Sequence, residues 1–155
     1  MSLGRKWSAM PGKKAVRLPC AGANLRRAAR VVAQFYDSVL RPCGLRLAQF
    51  TLLQALHLAP GISQKQMADL LGIDTTTLTR TLAHLRRKRW LRSKTGSDRR
   101  ELRLFLTSEG QREFKRVVPY WQSAQKRLRR TLGHAHWEQL LNAAVRTASS
   151  TPNPV

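Results

Sequence analysis

The side chains best suited to chemistry in this sequence are hydroxyls and guanidiniums set close together. Thr75, Thr76, Thr77 and Thr79 crowd four threonines into five positions, and Arg80 follows at once. Threonine hydroxyls hydrogen-bond phosphates or bases, and threonine methyls pack against the methyl of thymine. Arginine reaches guanine edges or a phosphate. His84 continues the same stretch, and Arg86, Arg87, Lys88 and Arg89 close it. Threonine is a poor helix former because its branched side chain loses rotamer freedom. A helix that carries so many either uses their surface or leaves them as a solvated face. The four closing cations suit a helix C-terminus and suit phosphate contact equally. Further on, Lys94, Arg99, Arg100 and Arg103 surround the turn residues Gly96, Ser97 and Asp98. A basic hairpin tip of this kind can reach a minor groove, where narrow A·T tracts attract arginine.

This is the chemistry of anion recognition. Bond-breaking chemistry is not legible: there is no G-x-x-x-x-G-K-[ST], H-E-x-x-H or G-x-S-x-G pattern. The eight acidic residues are scattered and offer no carboxylate pair for acid–base work. We therefore expect no enzyme and no cofactor. His134 and His136 form an H-x-H pair with Glu138 nearby. A metal site needs three or four ligands at settled spacing, so no metal is expected there.

The elements that would position these groups follow from periodicity. Leu25, Ala28, Ala29, Val32, Phe35, Tyr36, Val39 and Leu40 recur at helical spacing from Asn24. Pro42 and Gly44 end that helix, and a second apolar one runs over 47–58 to Pro60-Gly61. Ser63 and Gln66 form a capping box for a short helix that Gly72 closes. Asp74 is the N-cap of the threonine-rich helix, which runs to about Lys88 with Leu78, Leu82 and Leu85 as its buried stripe. The period then changes. Leu91 to Lys94 and Leu102 to Leu106 read as strands. Thr107 caps a long helix that continues through Pro119 with a kink, and Gly133 ends it. Trp137, Leu140, Leu141, Ala144 and Val145 mark a last helix, frayed from about Ser149.

The fold expected is thus mainly α with a small β-wing: a winged helix-turn-helix DNA-binding lobe, about 46–106, plus a helical dimerisation region, about 21–41 and 108–148. In a helix-turn-helix the second helix enters the DNA major groove, its N-terminal residues nearest the base edges. Residues 1–19 read as a flexible basic arm and 149–155 as a frayed tail. Phosphate contact by the arm, an unstructured tail and a true start at Met10 all remain open. A lobe of about 60 residues cannot cover the long apolar faces of the outer helices. Phe35, Tyr36, Trp121 and Trp137 then meet a second subunit, or the chain closes its own core.

Composition agrees with a nucleic-acid partner. The 155 residues carry 29 Lys plus Arg against 8 Asp plus Glu, a formal net charge of +21. Such an imbalance repels itself unless something anionic is near. No apolar run approaches the ~20 residues of a membrane span, the N-terminus lacks the apolar stretch of a signal peptide, and two cysteines are too few for a disulfide scaffold. These readings place the chain in the cytoplasm, with no membrane partner.

Residues 21–148 resemble the MarR family of bacterial regulators. The resemblance rests on Thr79-Arg80, on Asp98-Arg99-Arg100 and on the run from Leu104 through Thr107 to Gly110, in that order and spacing. It implies a triangular homodimer on double-stranded DNA, with Arg100 in the minor groove and Asp98 orienting the wing through a nearby basic side chain. It implies a palindromic operator, frequent repression, and release on a small aromatic or anionic effector or on cysteine oxidation. Cys20, beside Arg17, Arg26 and Arg27, is the candidate redox sensor, with an inert thiol as the alternative. Two positions depart from the family pattern. Arg89 replaces the glycine that usually ends the recognition helix, and Arg86 replaces an acidic residue. Ending a helix in a left-handed residue other than glycine costs roughly 1 kcal/mol. The alternative function is a basic architectural protein that binds any nucleic acid, with no effector.

Overall fold

The computed structural model describes residues 18–96 and 101–150. Asp98, Arg99 and Arg100, nearly all of the basic arm and residues 151–155 lie outside the described residues. The first helix, α1 (Ala21–Leu40), starts three residues before the apolar period does. Asn24 explains the difference. Its Oδ1 accepts the Leu18 N–H at 3.0 Å, and its Nδ2 donates to the carbonyls of Leu18 and Cys20. The side chain therefore ties the entering chain to the first turn. Packing divides the chain inside this helix, into a unit that ends at Val32 and one that begins at Ala33. In the first unit Leu25 and Val31 are exposed, as is Cys20.

The second unit is built around α2 (Leu47–Leu58). Phe50, Leu52, Leu53, Ala55 and Leu56 are all buried, so this helix is apolar on most sides. Each such large side chain contributes about 1.5–3 kcal/mol on burial. A short 3-10 turn, Arg41–Cys43, leads into it, and Asp37 accepts the Leu47 N–H at 2.6 Å. After α2 come β1 (Ile62–Ser63), α3 (Gln64–Leu71), α4 (Thr75–Arg87), β2 (Leu91–Thr95) and β3 (Leu102–Leu106). The sheet order is β1-β3-β2, antiparallel throughout, with Leu91 opposite Leu106 and Lys94 opposite Arg103. β1 was not expected from the sequence: it pairs Ile62 with Leu104 and Ser63 with Arg103. Ser63 both ends this strand and caps α3, so its capping signal hides its strand role.

Two long helices complete the chain, α5 (Ser108–Leu132) and α6 (His134–Ser150). Phe114 of α5 stacks between Phe50, at 5.7 Å, and His57, at 4.4 Å; Trp121 lies 5.8 Å from Phe50. The Arg116 guanidinium clamps Glu113 and also donates to the Cys43 carbonyl at 3.0 Å, pinning α5 to the turn before α2. Tyr36 donates to Gln125, so the C-terminal part of α1 is tied to α5 as well. α5 continues past Pro119 as one helix.

Thr107 fixes where α5 starts. Its Oγ1 accepts the Gly110 N–H at 3.0 Å and donates to the Arg89 carbonyl at 2.7 Å, while its own N–H donates to the Trp90 carbonyl. α6 has no buried residue, and it stays helical to Ser150, beyond the fraying expected at Ser149. Among the described residues no helix is long and apolar enough to cross a membrane.

Candidate nucleic-acid interface

The turn into α4 is set by Gly72, whose φ of +60° lies in the left-handed region that glycine enters without a Cβ clash. Ile73 then donates back to the Ala68 carbonyl. Asp74 follows as a two-handed cap. One carboxylate oxygen accepts the Thr77 N–H at 2.8 Å and the other accepts the Thr77 hydroxyl at 2.6 Å. These bonds, the hydroxyl's first, hold the Asp74 carboxyl below the usual carboxylate range. Leu78, Leu82 and Leu85 are fully buried and fix the rotation of α4 about its axis.

That rotation sorts the expected site residues. Thr75, Thr76, Thr79 and Arg80 are exposed on the first two turns. Thr76 and Arg80 are four residues apart and so share one face. Thr77 is exposed as well, but it departs from the set in its surroundings. It faces a cavity of about 440 Å³ together with Thr81, against Ala33, Asp37 and Arg46. Its hydroxyl is committed to Asp74. The sequence alone grouped Thr77 with the other threonines, because four residues of one type in five positions hide which hydroxyl the protein itself engages. His84 also differs from a freely offered group. Its ring lies edge-on to Trp90 at 6.3 Å, and its Nε2 is shielded, with no hydrogen-bond partner among the described residues. Burial, then Arg87 and Lys88, push its pKa down.

α4 ends as the missing glycine suggested: Arg89 has φ +57°. The Trp90 N–H donates to the Leu85 carbonyl and the Arg89 N–H to that of Arg86, so the ordinary helix-ending hydrogen bonds form around a residue with a side chain. Arg86, Arg87, Lys88 and Arg89 are exposed. None of them, nor Arg80 or Lys94, has a carboxylate within salt-bridge distance among the described residues.

The hairpin that follows has an internal brace. Gly96 donates to the Glu101 carbonyl at 2.7 Å. The Glu101 carboxylate pairs with Arg103 at 2.8 Å, and Arg103 also donates to the Gly61 carbonyl. Arg103 stands directly opposite Lys94, an unfavourable like-charge pair that Glu101 offsets. Arg103 is thus occupied within the protein, while Lys94 is exposed. Arg92 lies 4.8 Å over the Phe105 ring on the neighbouring strand. The sequence reading missed the Glu101–Arg103 brace, although a lone acid between two basic runs was its available signal.

A helix-turn-helix followed by a basic antiparallel hairpin defines a winged helix-turn-helix protein, and comparison with known proteins agrees. The MarR family model matches residues 44–101. The M. tuberculosis transcriptional regulator MosR, in complex with DNA, is 33% identical, with 84% of this chain and 95% of that chain covered and a TM-score of 0.76. The transcriptional repressor CouR, bound to a 23-mer DNA duplex, is 26% identical, with 87% and 99% covered and a TM-score of 0.75. The HTH-type transcriptional regulator YwoH of Bacillus subtilis is 28% identical over 93 residues, 60% of this chain and 68% of that protein. The chain belongs to the MarR family of winged helix-turn-helix transcriptional regulators.

Proposed function

We propose that this protein is a sequence-specific DNA-binding regulator and acts as a repressor on a palindromic operator, as a homodimer. The observation that carries this reading is the exposed start of α4. Thr75, Thr76 and Arg80 stand outward over a fully buried leucine stripe, beside the exposed basic residue Lys94 of the hairpin. Such a helix presents its N-terminal side chains to base edges, and the flanking cations meet phosphates. Thr79, Arg86, Asp98, Arg99 and Arg100 belong to the same proposed contact set, Arg100 in the minor groove. Thr77 and His84 belong to it with polar groups less freely offered, the Thr77 hydroxyl bonded to Asp74 and the His84 Nε2 shielded. MosR and CouR, solved with DNA, support the partner.

The dimer reading rests on α6. Among the described residues none of its side chains is fully buried, Trp137 being only partly covered, and Leu140, Leu141 and Val145 remain exposed. An apolar face of that kind on a regulator with two-fold operators fits an isologous interface. The dimerisation region would comprise 21–41 and 108–148, and the DNA lobe 46–106. A small aromatic or anionic effector fits the cavity behind α4: Leu52, Leu71 and Ile73 supply apolar wall and Arg46 a cation. Of the two inputs, ligand and redox, the cavity favours ligand. Cys20 is exposed, whereas Cys43 is buried and its thiol is pushed up by that burial.

The test is fluorescence-anisotropy binding to the duplex upstream of its own gene, against a shuffled duplex, at about 150 mM salt, where phosphate attraction is screened. The regulator binds its own duplex at least ~10³-fold tighter, and Arg100→Ala loses that margin. Equal binding to both duplexes, weakening together with salt, points instead to a general nucleic-acid binder. A genome-wide selection of bound fragments then separates that outcome from an operator located elsewhere.

A further inference from the structure

Among the outward threonines of α4, Thr79 has its hydroxyl proton engaged inside the protein. A hydroxyl carries one proton. That proton goes to the Thr75 carbonyl, at 2.7 Å. The same oxygen accepts from the side-chain amide of Gln64, also at 2.7 Å. Because the hydroxyl proton is already donated, only the amide nitrogen of Gln64 can face it, which settles the orientation of that amide. Gln64 is the first residue of α3, held by the Ser63–Gln66 capping box. It therefore reaches from the start of one helix to the second turn of the next. The hydroxyls of Thr75 and Thr76 have no protein partner among the described residues. The two halves of the threonine cluster are chemically different.

A base in the major groove offers acceptors at G N7 and O6, A N7 and T O4. The Thr79 hydroxyl has no proton for any of them. What this exposed side chain still offers a thymine is its Cγ2 methyl; the one free lone pair of Oγ1 can meet only a base donor, A N6–H2 or C N4–H2. Threonine is stiff about χ1, and two hydrogen bonds to its oxygen hold the rotamer. The methyl is thereby held in one place.

We infer that Thr79 is a specificity-determining residue that reads a thymine through methyl–methyl contact, and that Gln64 is the positioning residue that locks it in that orientation. Thr75 and Thr76 keep their protons for acceptors on bases or phosphates. The inference rests on the DNA-binding reading above and divides labour within it.

The experiment uses the full chain and a duplex selected by the wild-type protein from a random library. Each thymine of that duplex is replaced in turn by deoxyuridine, which removes only the 5-methyl group. At one thymine in each half-site, the replacement weakens wild-type binding about fourfold, the value of one buried methyl. Thr79→Val keeps the methyl and the branching but loses both hydrogen bonds, and it retains part of that penalty. Thr79→Ser keeps the hydroxyl and both hydrogen bonds but lacks the methyl, and it loses the penalty. Gln64→Ala reduces the penalty without abolishing binding. Thermal melts by circular dichroism confirm that the variants are folded. If Thr79→Ser keeps the wild-type penalty at every thymine, or Thr79→Val loses it altogether, the inference is overturned while the DNA reading stands. If the wild-type protein enriches no sequence at all, the DNA reading itself fails and takes this one with it.

Discussion

Gly110, in the first turn of α5, lies so close to Trp90 that a Cβ on it would stand far inside contact distance of the Trp90 carbonyl oxygen, with the Leu106 side chain 3.2 Å away. The obstacle is backbone, which cannot swing aside as a flexible side chain would. Gly110→Ala should therefore destabilise the protein by about 1–3 kcal/mol, the usual range for overpacking a fixed site. Chemical denaturation monitored by circular dichroism reads this directly, and an unchanged midpoint would show that α5 can shift away from Trp90 at no cost.

Arg89 makes the opposite prediction. Its φ of +57° places a Cβ where only glycine is comfortable. Arg89→Gly should stabilise the fold by up to about 1 kcal/mol, although it removes a side chain. Arg89→Ala keeps the strain and gains nothing. The pair separates backbone strain from charge: if Arg89→Ala stabilises as much as Arg89→Gly, relief of repulsion among Arg86, Arg87 and Lys88 is the cause, not the backbone.

His84 predicts a pH dependence. Its pKa is lowered in the folded state, by burial first and then by Arg87 and Lys88. The folded protein thus binds this proton less readily than the unfolded chain, whose imidazole titrates near 6.5. Stability from this group is complete above that value and is lost as pH falls through it toward the folded pKa. Stability should drop as pH falls below about 6.5 in the wild type, and His84→Gln should flatten that part of the profile. Melting temperature against pH for the two proteins is the comparison. Parallel profiles would mean that His84 takes up its proton without penalty.

Most of the fold was legible because its punctuation is local. Ser63 with Gln66, Asp74 and Thr107 cap helices through bonds to residues three positions away, and periodicity gave the leucine stripe of α4. What escaped depends on distant partners. β1 exists only because Leu104 and Arg103 lie beside Ile62 and Ser63. Glu101 looked like one of a few scattered acids until the hairpin brought it onto Arg103. In the candidate site, sequence placed the threonines and Arg80 together at the start of one helix, where the structure also has them. It did not sort Thr77 from Thr79, because the direction of a threonine depends on the rotation that the buried leucines impose.

Thr107 has a mechanical consequence. With one hydroxyl and one N–H it holds the carbonyls of Arg89 and Trp90, just past the end of the recognition helix, and the first turn of a helix about 37 Å long. There is no slack residue between the two. α5 is therefore fastened at its first turn to the chain just past α4, and on the proposed reading a tilt of this long helix would pull on the helix that carries Thr75 and Arg80.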